Sequence, residues 1–599
     1  MLDLLFCGVD EILMRRRSLR NELLATDGLR DLRVAVLGGS TTNELVNFLE
    51  LLLLSAGFRP SFYQSEYGRF YEEAVHDTRA LIDFRPELVC IHTLCSDVRQ
   101  TPPIGCTQAQ WNASLASESQ RFVEIWDSLE RSLGCQVIQN NFETPPYAIL
   151  GNMDAVVQGG LNQFLTQLNV SFAEQAAKRP KLILQDIHGI AARLGSRNWF
   201  DWNRYWSYKL PLTPEAHLEV ARSLLSIVQA MFGKSRKVLV LDLDNTLWGG
   251  VIGDDGVERI QLGRETPLAE AYTAFQEYCL SLCKRGVLLA ICSKNDEETA
   301  KSGFSHPSSV LTLDDISCFK ANWNPKHENL LEIAKELNLG LDSFVFIDDN
   351  PAERAIVQAQ LPQVAVPDVG SEVARFAEIL QHGRYFEPVT LSAEDLDRVN
   401  LYADNFRRAA AAQKFADYGQ YLDSLEMVAE IDTFQPVYLE RIAQLTNKTN
   451  QFNLTTRRYT LAELEVVSKD PRFIALYGKL SDRFGDNGLI SVVVGRRERD
   501  TLHLDLWLMS CRVLKRDMEI AMLDALNERA RAVGITSIRG YYLPTPKNGL
   551  VSDHYLKLGF APVASEAIGH PPGSTIWCLD LTTYSRQTKH IRVREYAHA

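Results

Sequence analysis

One short segment constrains the fold of this chain more than any other. Residues 237–250 read KVLVLDLDNTLWGG, so an apolar run ends directly in Asp242, and Asp244 follows in a turn. A short apolar run of this kind is typical of a strand buried on both faces, as in a parallel sheet. Active sites of such sheets lie beyond the carboxyl ends of the strands. The segment therefore predicts an α/β fold with two acidic side chains at a functional edge.

Three later segments place polar side chains at comparable positions. Ser293 closes the apolar run VLLAICS, Lys326 follows in NWNPKHEN, and Asp348 and Asp349 close SFVFIDD. One carboxylate can attack phosphorus while another moves protons, and the hydroxyl and the ammonium can hold phosphoryl oxygens. Each segment alone is more often a solvated loop or a helix cap, but together and in this order they indicate phosphoryl transfer.

Carboxylates and phosphate together need a metal ion to offset their negative charge. The available ligands are hard oxygen donors without cysteine or histidine among them, which favours Mg²⁺ over zinc. We predict four ligands for this ion: Asp242, Asp244, Asp348 and Asp349.

The spacing of these segments limits what can cover the site. Only 33 positions separate Ser293 from Lys326, which leaves no room for a large cap domain between them. The stretch from Leu247 to Ile260 is long enough only for a small flap. Such an open site can admit a phosphoryl group attached to something bulky, such as a carrier protein, although small caps also occur in enzymes that act on small molecules.

The chain as a whole predicts a multidomain α/β protein, because 599 residues exceed what one hydrophobic core normally supports. Strands and helices alternate from residue 32 onward, which indicates mostly parallel sheets. After residue 470 consecutive strands without intervening helices, followed by a helix, indicate an antiparallel α+β domain. The predicted divisions are an N-terminal helical segment and three domains: 1–30, 31–232, 235–385 and 395–585.

Composition excludes several classes of function. A net charge of -13 argues against nucleic acid as a partner, because phosphate neutralisation needs a dense basic footprint. The longest apolar run is too short to cross a bilayer, and the first residues lack the pattern of a secretory signal. Eleven scattered cysteines without a CxxC pair indicate reduced thiols, so we expect a cytoplasmic protein. The oligomeric state is left open.

Longer strings carry a more specific resemblance. Five of them resemble the FkbH-like proteins of polyketide and related pathways: LVLDLDNTLWGGVIGDDG, AICSKND, FVFIDDNPAERA, TNKTNQFNLTTRRYT and WLMSCRVL. The central domain resembles the haloacid-dehalogenase superfamily, subfamily IIIC, with a Rossmann-like fold and a minimal cap. By this resemblance Asp242 forms an aspartyl-phosphate, Asp244 is the general acid/base, and Ser293 and Lys326 bind phosphate. The resemblance also implies D-1,3-bisphosphoglycerate as substrate and a glyceryl unit loaded through an enzyme thioester onto the phosphopantetheine arm of an acyl carrier protein.

The C-terminal domain resembles the GCN5-related N-acetyltransferase (GNAT) fold. Its CRVLKRD loop has Lys515 and Asp517 where the FkbH-like form, CRVLGRG, has glycines, which argues against conventional use of acyl-CoA. Cys511 precedes a helix N-terminus and stands beside an arginine, an environment that lowers a thiol pKa, so it is the candidate acyl carrier, with Cys292 as the alternative. Candidate contacts for a carrier protein or its pantetheine are basic: Lys448, Arg457, Arg458, Arg512, Lys515 and Arg516.

The N-terminal domain resembles the SGNH-hydrolase-like domain attached to many such proteins. Its GGST turn puts Ser40 at the position of the nucleophilic serine. A working hydrolase also needs a histidine positioned by an acid, but Asp201 is followed at the expected spacing by Arg204, and His188 and His217 lack clear support. We therefore expect a docking or structural role.

Three functions follow from these observations. The leading one is a glyceryltransferase and phosphatase that acts on a carrier protein. The second is a Mg²⁺-dependent phosphatase for a small phosphorylated metabolite, with a separate N-acyltransferase activity. The third is a non-catalytic scaffold that recruits a carrier protein, which the intact central motifs oppose.

Overall fold

The computed structural model describes residues 3–449, 451–510, 513–545, 547–563 and 571–594, apart from the side chains of Ala393, Ala409, Ala410 and Lys448. The chain divides into two compact units, one up to Gln229 and one from Ala230 onward. The second unit contains both the predicted central domain and the predicted C-terminal domain. Within the described ranges, no helix combines the length and the apolar character that crossing a membrane requires.

The first unit is built on a five-stranded parallel sheet of order β2-β1-β3-β4-β5. Central strand β3 is buried along its whole length, as expected for a sheet covered on both faces. The predicted mostly parallel α/β architecture is confirmed. The strands are β1 (Arg30–Gly38), β2 (Phe58–Gln64), β3 (Leu88–His92), β4 (Gln136–Asn140) and β5 (Leu182–Gln185). The helices are α1 (Val9–Leu24), α2 (Asn43–Ser55), α3 (Phe70–Val75), α4 (Arg79–Phe84), α5 (Gln108–Ser132), α6 (Leu161–Ala176), α7 (Ile187–Leu194), α8 (Trp202–Tyr208) and α9 (Pro214–Met231).

The central domain has a four-stranded parallel sheet of order β8-β7-β6-β9. Alternate residues of β6 enter separate cores: Leu239 and Leu241 pack into one, and Val238 and Val240 into the other. This two-residue period places one core on each face of the sheet. The strands are β6 (Val238–Leu241), β7 (Leu288–Ser293), β8 (Ile316–Ala321) and β9 (Phe344–Ile347). The helices are α10 (Ile252–Asp255), α11 (Pro267–Lys284), α12 (Glu297–Ser302), α13 (Lys326–Leu337), α14 (Pro351–Gln360) and α15 (Phe376–His382).

The minimal cap predicted from the spacing is also confirmed. After β6 the chain forms a small flap that contains only the four-residue helix α10, and the bridge between Gly249 and Gln261 closes the base of the flap. Between Ser293 and Lys326 the chain continues the sheet through α12 and β8 and inserts no further domain.

The C-terminal domain is α+β, with an eight-stranded sheet of order β15-β16-β14-β13-β12-β11-β10-β17. The predicted antiparallel arrangement needs one correction, because β13 pairs with β14, and β10 with β17, in parallel. The strands are β10 (Met427–Thr433), β11 (Phe473–Asp482), β12 (Gly485–Glu498), β13 (Thr501–Met509), β14 (Ser537–Tyr542), β15 (Ala561–Pro562), β16 (Thr575–Asp580) and β17 (Ile591–Arg594). The helices are α16 (Ala393–Leu396), α17 (Arg398–Ala412), α18 (Tyr418–Ser424), α19 (Leu439–Lys448), α20 (Leu461–Lys469), α21 (Met518–Ala532) and α22 (His554–Lys557).

Candidate active site

Three carboxylates meet at the carboxyl edge of the central sheet. Asp242 follows β6, and Asp348 and Asp349 follow β9, so the parallel pairing of these strands brings them together. One oxygen of each carboxylate lies within 4.8 Å of the other two. The Asp242 N–H donates to the Ile347 carbonyl at 2.9 Å, which ties the two strand ends to each other. Oxygen donors at this spacing suit a hard divalent cation.

Lys326 lies among these carboxylates. Its Nζ is 2.9 Å from an Asp242 oxygen and 2.6 Å from an Asp348 oxygen, and the residue is only 3% exposed. Burial alone would lower the lysine pKa, but the two carboxylates outweigh it and the net shift of the pKa is upward. Burial, and next the Asp242 charge, raise the pKa of Asp348 to about 6 and also raise that of Asp349. One ammonium group thus faces more negative charge than it balances.

The Asp244 carboxylate points to other partners. It accepts hydrogen bonds from the Trp248 indole N–H at 3.0 Å, the Ile252 backbone N–H at 3.0 Å and the Asn295 amide at 2.8 Å. The structure therefore brings together Asp242, Asp348 and Asp349 of the four predicted metal ligands, while the Asp244 side chain is held by the flap and the end of β7. The two carboxylates therefore lie in different surroundings, Asp242 against the Lys326 ammonium and Asp244 against three N–H donors.

Three residues that the sequence analysis did not assign hold this site in place: Asn295, Thr246 and Arg354. The Ser293 hydroxyl is buried and lies 3.4 Å from the amide nitrogen of Asn295, which also holds Asp244. The Thr246 hydroxyl accepts the Asp349 N–H at 3.2 Å. Arg354 donates to the Asp348 and Asp349 carbonyls, each at 2.8 Å. Asn295 stands inside the ICSKND string, where only its position two residues after Ser293 signals its role.

The structure describes only one of the two candidate thiols, that of Cys292. Cys292 is fully buried, and its thiol donates to the Lys326 carbonyl at 3.6 Å. Burial raises the pKa of this thiol, although the Lys326 charge opposes the shift. A buried thiol held in its protonated form is a poor nucleophile. Cys511 and Arg512 lie outside the described residues.

Two comparisons with known proteins assign the chain to a family. The model of the FkbH N-terminal domain matches residues 33–229. A crystal structure of the N-terminal part of the protein BF1531 from Bacteroides fragilis, containing a phosphatase domain complexed with Mg, is 31% identical to this chain and has a TM-score of 0.59. The similarity covers 63% of this chain and 99% of that one. The chain belongs to the FkbH-like family.

A structural comparison with an N-acetyltransferase gives a much weaker similarity to this FkbH-like protein. The crystal structure of the ribosomal-protein-S18-alanine N-acetyltransferase from Escherichia coli covers 27% of this chain and 99% of its own. The identity is 11% and the TM-score 0.21, a level that says nothing about activity. No protein of curated function matches.

In the C-terminal domain of the FkbH-like protein, the groove that opens where β13 and β14 diverge is filled by the chain itself. These strands pair only from Thr501 to His503. Beyond that point the segment 452–454 lies between them: the Leu454 N–H donates to the Trp507 carbonyl at 3.1 Å, and the Met509 N–H donates to the Phe452 carbonyl at 3.1 Å. The Leu454 carbonyl accepts the Leu543 N–H, just beyond β14, at 2.8 Å. The inserted segment is therefore hydrogen-bonded to β13 and to the residue that follows β14.

The predicted basic contacts lie in different environments. Arg457 is partly exposed and pairs with Asp505 at 2.9 Å, and its guanidinium stacks over the Tyr459 ring. Arg458 donates to the Asn447 carbonyl. These two side chains therefore already have protein partners, and a carrier protein would have to share them.

In the loop before α21, the side chains of Lys515 and Arg516 lie in different surroundings. Lys515 is exposed and has a left-handed backbone with φ 63°, as does Asp517 with φ 58°, the two positions where the related loop has glycine. Arg516 is buried, and its guanidinium lies 3.3 Å from an Asp482 oxygen and donates to Asn405 at 2.6 Å. Burial, and next the nearby positive charge of an arginine, lower the pKa of Arg516 to about 10. The guanidinium is therefore held by protein groups, and its predicted contact with a carrier protein or its pantetheine stays a prediction.

The first unit holds Ser40 apart from any catalytic pair. Its hydroxyl is buried and, among the described residues, has no hydrogen-bond partner. Asp201 caps α8 by accepting the Arg204 N–H at 3.1 Å. The Arg204 guanidinium contacts Glu44, which is also 3.2 Å from Nδ1 of His217. His188 is exposed on α7. Among the described residues, no histidine is therefore hydrogen-bonded to the Ser40 hydroxyl.

Proposed function

We propose that this FkbH-like protein is a Mg²⁺-dependent phosphatase and glyceryltransferase. It would remove phosphate from D-1,3-bisphosphoglycerate and load a glyceryl unit onto a phosphopantetheinylated acyl carrier protein. The observation that carries the phosphatase part is the cluster of Asp242, Asp348 and Asp349 around Lys326 at the edge of a parallel sheet. The BF1531 structure, whose phosphatase domain was crystallised with Mg, supports the choice of ion.

The residues divide the phosphoryl transfer as follows. An Asp242 oxygen attacks phosphorus and forms a new P–O bond while the bond from phosphorus to the leaving oxygen breaks. Asp244 gives a proton to the leaving oxygen, then takes one from a water whose oxygen attacks the phosphoenzyme, releasing phosphate and restoring the Asp242 carboxylate. Ser293 and Lys326 hold the phosphoryl oxygens through their hydroxyl and ammonium groups.

The three clustered carboxylates, Asp242, Asp348 and Asp349, would hold Mg²⁺. Bound there, the ion supplies the positive charge that offsets carboxylates and phosphate. Lys326 performs part of the same neutralisation from the protein side, since it contacts two of the three carboxylates. Arg354 and Thr246 keep the backbone of the two β9 aspartates fixed, so that the ligands are oriented before substrate binds.

The acyl part of the proposal assigns the thioester to Cys511, whose thiolate would attack C1 of the acyl phosphate and expel that phosphate, while the phosphatase site removes the phosphate ester at C3. Its support is the FkbH-like WLMSCRVL string, together with the buried, protonated state of the alternative, Cys292. The second candidate function, a separate N-acyltransferase activity, has less support because the segment 452–454 already occupies the groove between β13 and β14.

Intact-protein mass spectrometry tests both parts. The protein is incubated with 1,3-bisphosphoglycerate and Mg²⁺, with and without phosphopantetheinylated carrier protein, and released phosphate is measured in parallel. Asp242→Asn should no longer release the phosphate ester at C3, because the nearly isosteric amide cannot attack phosphorus, whereas the C1 phosphate still leaves when the acyl group passes to a thiol. Asp254→Asn, an exposed flap residue, is the matched control and should keep wild-type activity. Release of the C3 phosphate by soluble Asp242→Asn at more than a few per cent of the wild-type rate would contradict the assignment.

A further inference from the structure

The two oxygens of the Asp244 carboxylate are held by different parts of the central domain. Oδ1 accepts the Trp248 indole N–H and the Ile252 backbone N–H, each at 3.0 Å, and both donors belong to the flap. Oδ2 accepts the side-chain amide of Asn295, two residues beyond β7, at 2.8 Å. A carboxylate oxygen offers about two lone-pair sites, so Oδ1 is fully occupied and Oδ2 retains one site. A proton that Asp244 gives or takes is therefore carried on Oδ2.

The two donors on Oδ1 are fixed by the packing of the flap. Trp248 is fully buried, and its ring meets that of Phe304 edge-on at a centroid distance of 5.7 Å. A Cβ added to Gly303 would lie 2.6 Å from the indole and 2.9 Å from the Ile252 side chain, so the flap packs directly on this glycine. Turning Oδ1 toward a substrate would leave both donors without their acceptor, which is costly for buried N–H groups.

Asn295 lies where it can direct the other oxygen. The residue is 4% exposed, and its amide nitrogen also lies 3.4 Å from the Ser293 hydroxyl at the end of β7. Oδ2 is thus held on the side of the hydroxyl that would bind the phosphoryl group. With Oδ1 held by the flap, the Asn295 amide is the donor that sets the direction of Oδ2.

We propose that Asn295 is a positioning residue, which directs Oδ2 of Asp244 at the oxygen that leaves phosphorus. This inference rests on the phosphatase function proposed above. In the first step an Asp242 oxygen bonds to phosphorus, the bond from phosphorus to the leaving oxygen breaks, and the proton on Oδ2 passes to that oxygen. In the second step Oδ2 takes a proton from a water whose oxygen attacks phosphorus, and phosphate leaves. Asn295 donates to the other lone pair of Oδ2, so the same oxygen serves both steps.

The test compares two substrates whose leaving groups differ in their need for a proton. With Mg²⁺ present, kcat/KM is measured for 4-nitrophenyl phosphate, whose nitrophenolate leaves without a proton, and for 3-phosphoglycerate, whose alkoxide needs one. In Asn295→Ala the ratio of the first value to the second should rise at least about tenfold, because general acid catalysis contributes about 10²–10⁴-fold and only one substrate needs it. The fraction of folded protein cancels in this ratio, so a loss of stability does not mimic the effect.

Two further variants provide the control and the link to Asp244. Asn322→Ala removes another amide at the same edge of the sheet, one that exchanges hydrogen bonds of 3.1 and 2.9 Å with Asn329, and its ratio should equal that of the wild type. Asp244→Asn should raise the ratio at least as much as Asn295→Ala. Adding Asn295→Ala to Asp244→Asn should raise it no further, because the amide acts through Asp244. The same coupling can be read from either substrate alone, as non-additive losses of kcat.

The outcomes separate the two proposals. An unchanged ratio in Asn295→Ala, or additive effects of the two substitutions, would overturn the role of Asn295 and leave the phosphatase function standing. A wild-type protein that releases phosphate from neither substrate would refute the phosphatase function and the inference with it.

Discussion

Replacing Lys326 by methionine should destabilise the central domain as well as abolish activity. Methionine keeps the length of the side chain but leaves Asp242 and Asp348 without the charge that lies 2.9 and 2.6 Å from them. Removing one partner of a buried ion pair typically costs about 3–5 kcal/mol, since the remaining charge stays buried without compensation. Burial, and next the charge of Asp242, already raise the pKa of Asp348 with Lys326 in place.

The matched control is Lys294→Met. Lys294 also makes an ion pair, with Glu353 at 2.6 Å, but its side chain is 40% exposed. A pair at the surface contributes about 0–1 kcal/mol, so this variant should be nearly as stable as the wild type. Hydrogen exchange of the peptides that contain β6 and β9, measured in EDTA, gives the free energy of local opening for both variants.

Mg²⁺ sharpens the test, because it supplies the positive charge that the variant has lost. A ligand that binds only the folded state stabilises it by about 2.7 kcal/mol at a hundredfold excess over its Kd. The variant has one positive charge less in its site, so Mg²⁺ should bind it more tightly and slow its exchange by more than in the wild type. If Lys326→Met opened as rarely as Lys294→Met in EDTA, Lys326 would not be compensating buried charge. If Mg²⁺ protected neither protein, the carboxylate cluster would not be its site.

Three further predictions concern the other groups. Asp244→Asn should lower the rate of phosphate release by orders of magnitude and accumulate phosphoenzyme, visible by mass spectrometry; release at the wild-type rate would remove Asp244 from the mechanism. Acetyl-CoA should not shift the thermal unfolding of the protein, because residues 452–454 fill the groove between β13 and β14; micromolar binding by calorimetry would show that this segment yields. Cys511→Ala should lose the acyl-enzyme mass increment and transfer to carrier protein, while Cys292→Ala should keep both; the reverse result would place the acyl group in the central domain.

The strands that the sequence predicts in the central domain are those whose residues are all buried. β6, β7 and β9 are apolar runs buried on both faces, so their pattern is continuous. Strands β2 and β8 were missed because each lies at the edge of its sheet and is only partly buried. β2 also contains Pro60, and β8 contains Lys320, and both residue types weaken a strand pattern that edges tolerate.

In the candidate site, the sequence predicts which residues come together but not how each side chain is oriented. Asp242, Ser293 and Asp348 could be placed from the sequence because a parallel sheet brings the carboxyl ends of its strands to one edge. The orientation of Asp244 could not, since it depends on donors from the flap and from the end of β7 that meet only in the folded chain. The burial of Arg516 could not be predicted either, because its partner Asp482 lies at the end of β11, far from Arg516 in the sequence.

The packing of the central sheet also bears on which cysteine could carry the proposed acyl group. Cys292 directly precedes Ser293, but successive side chains of a strand point to opposite faces, and Cys292 packs in the same core as Val238 and Val240. A thioester at Cys292 would therefore require the acyl group to enter a fully buried core beneath the Lys326 backbone. The packing of Cys292 therefore favours the assignment of the proposed thioester to a cysteine outside this core.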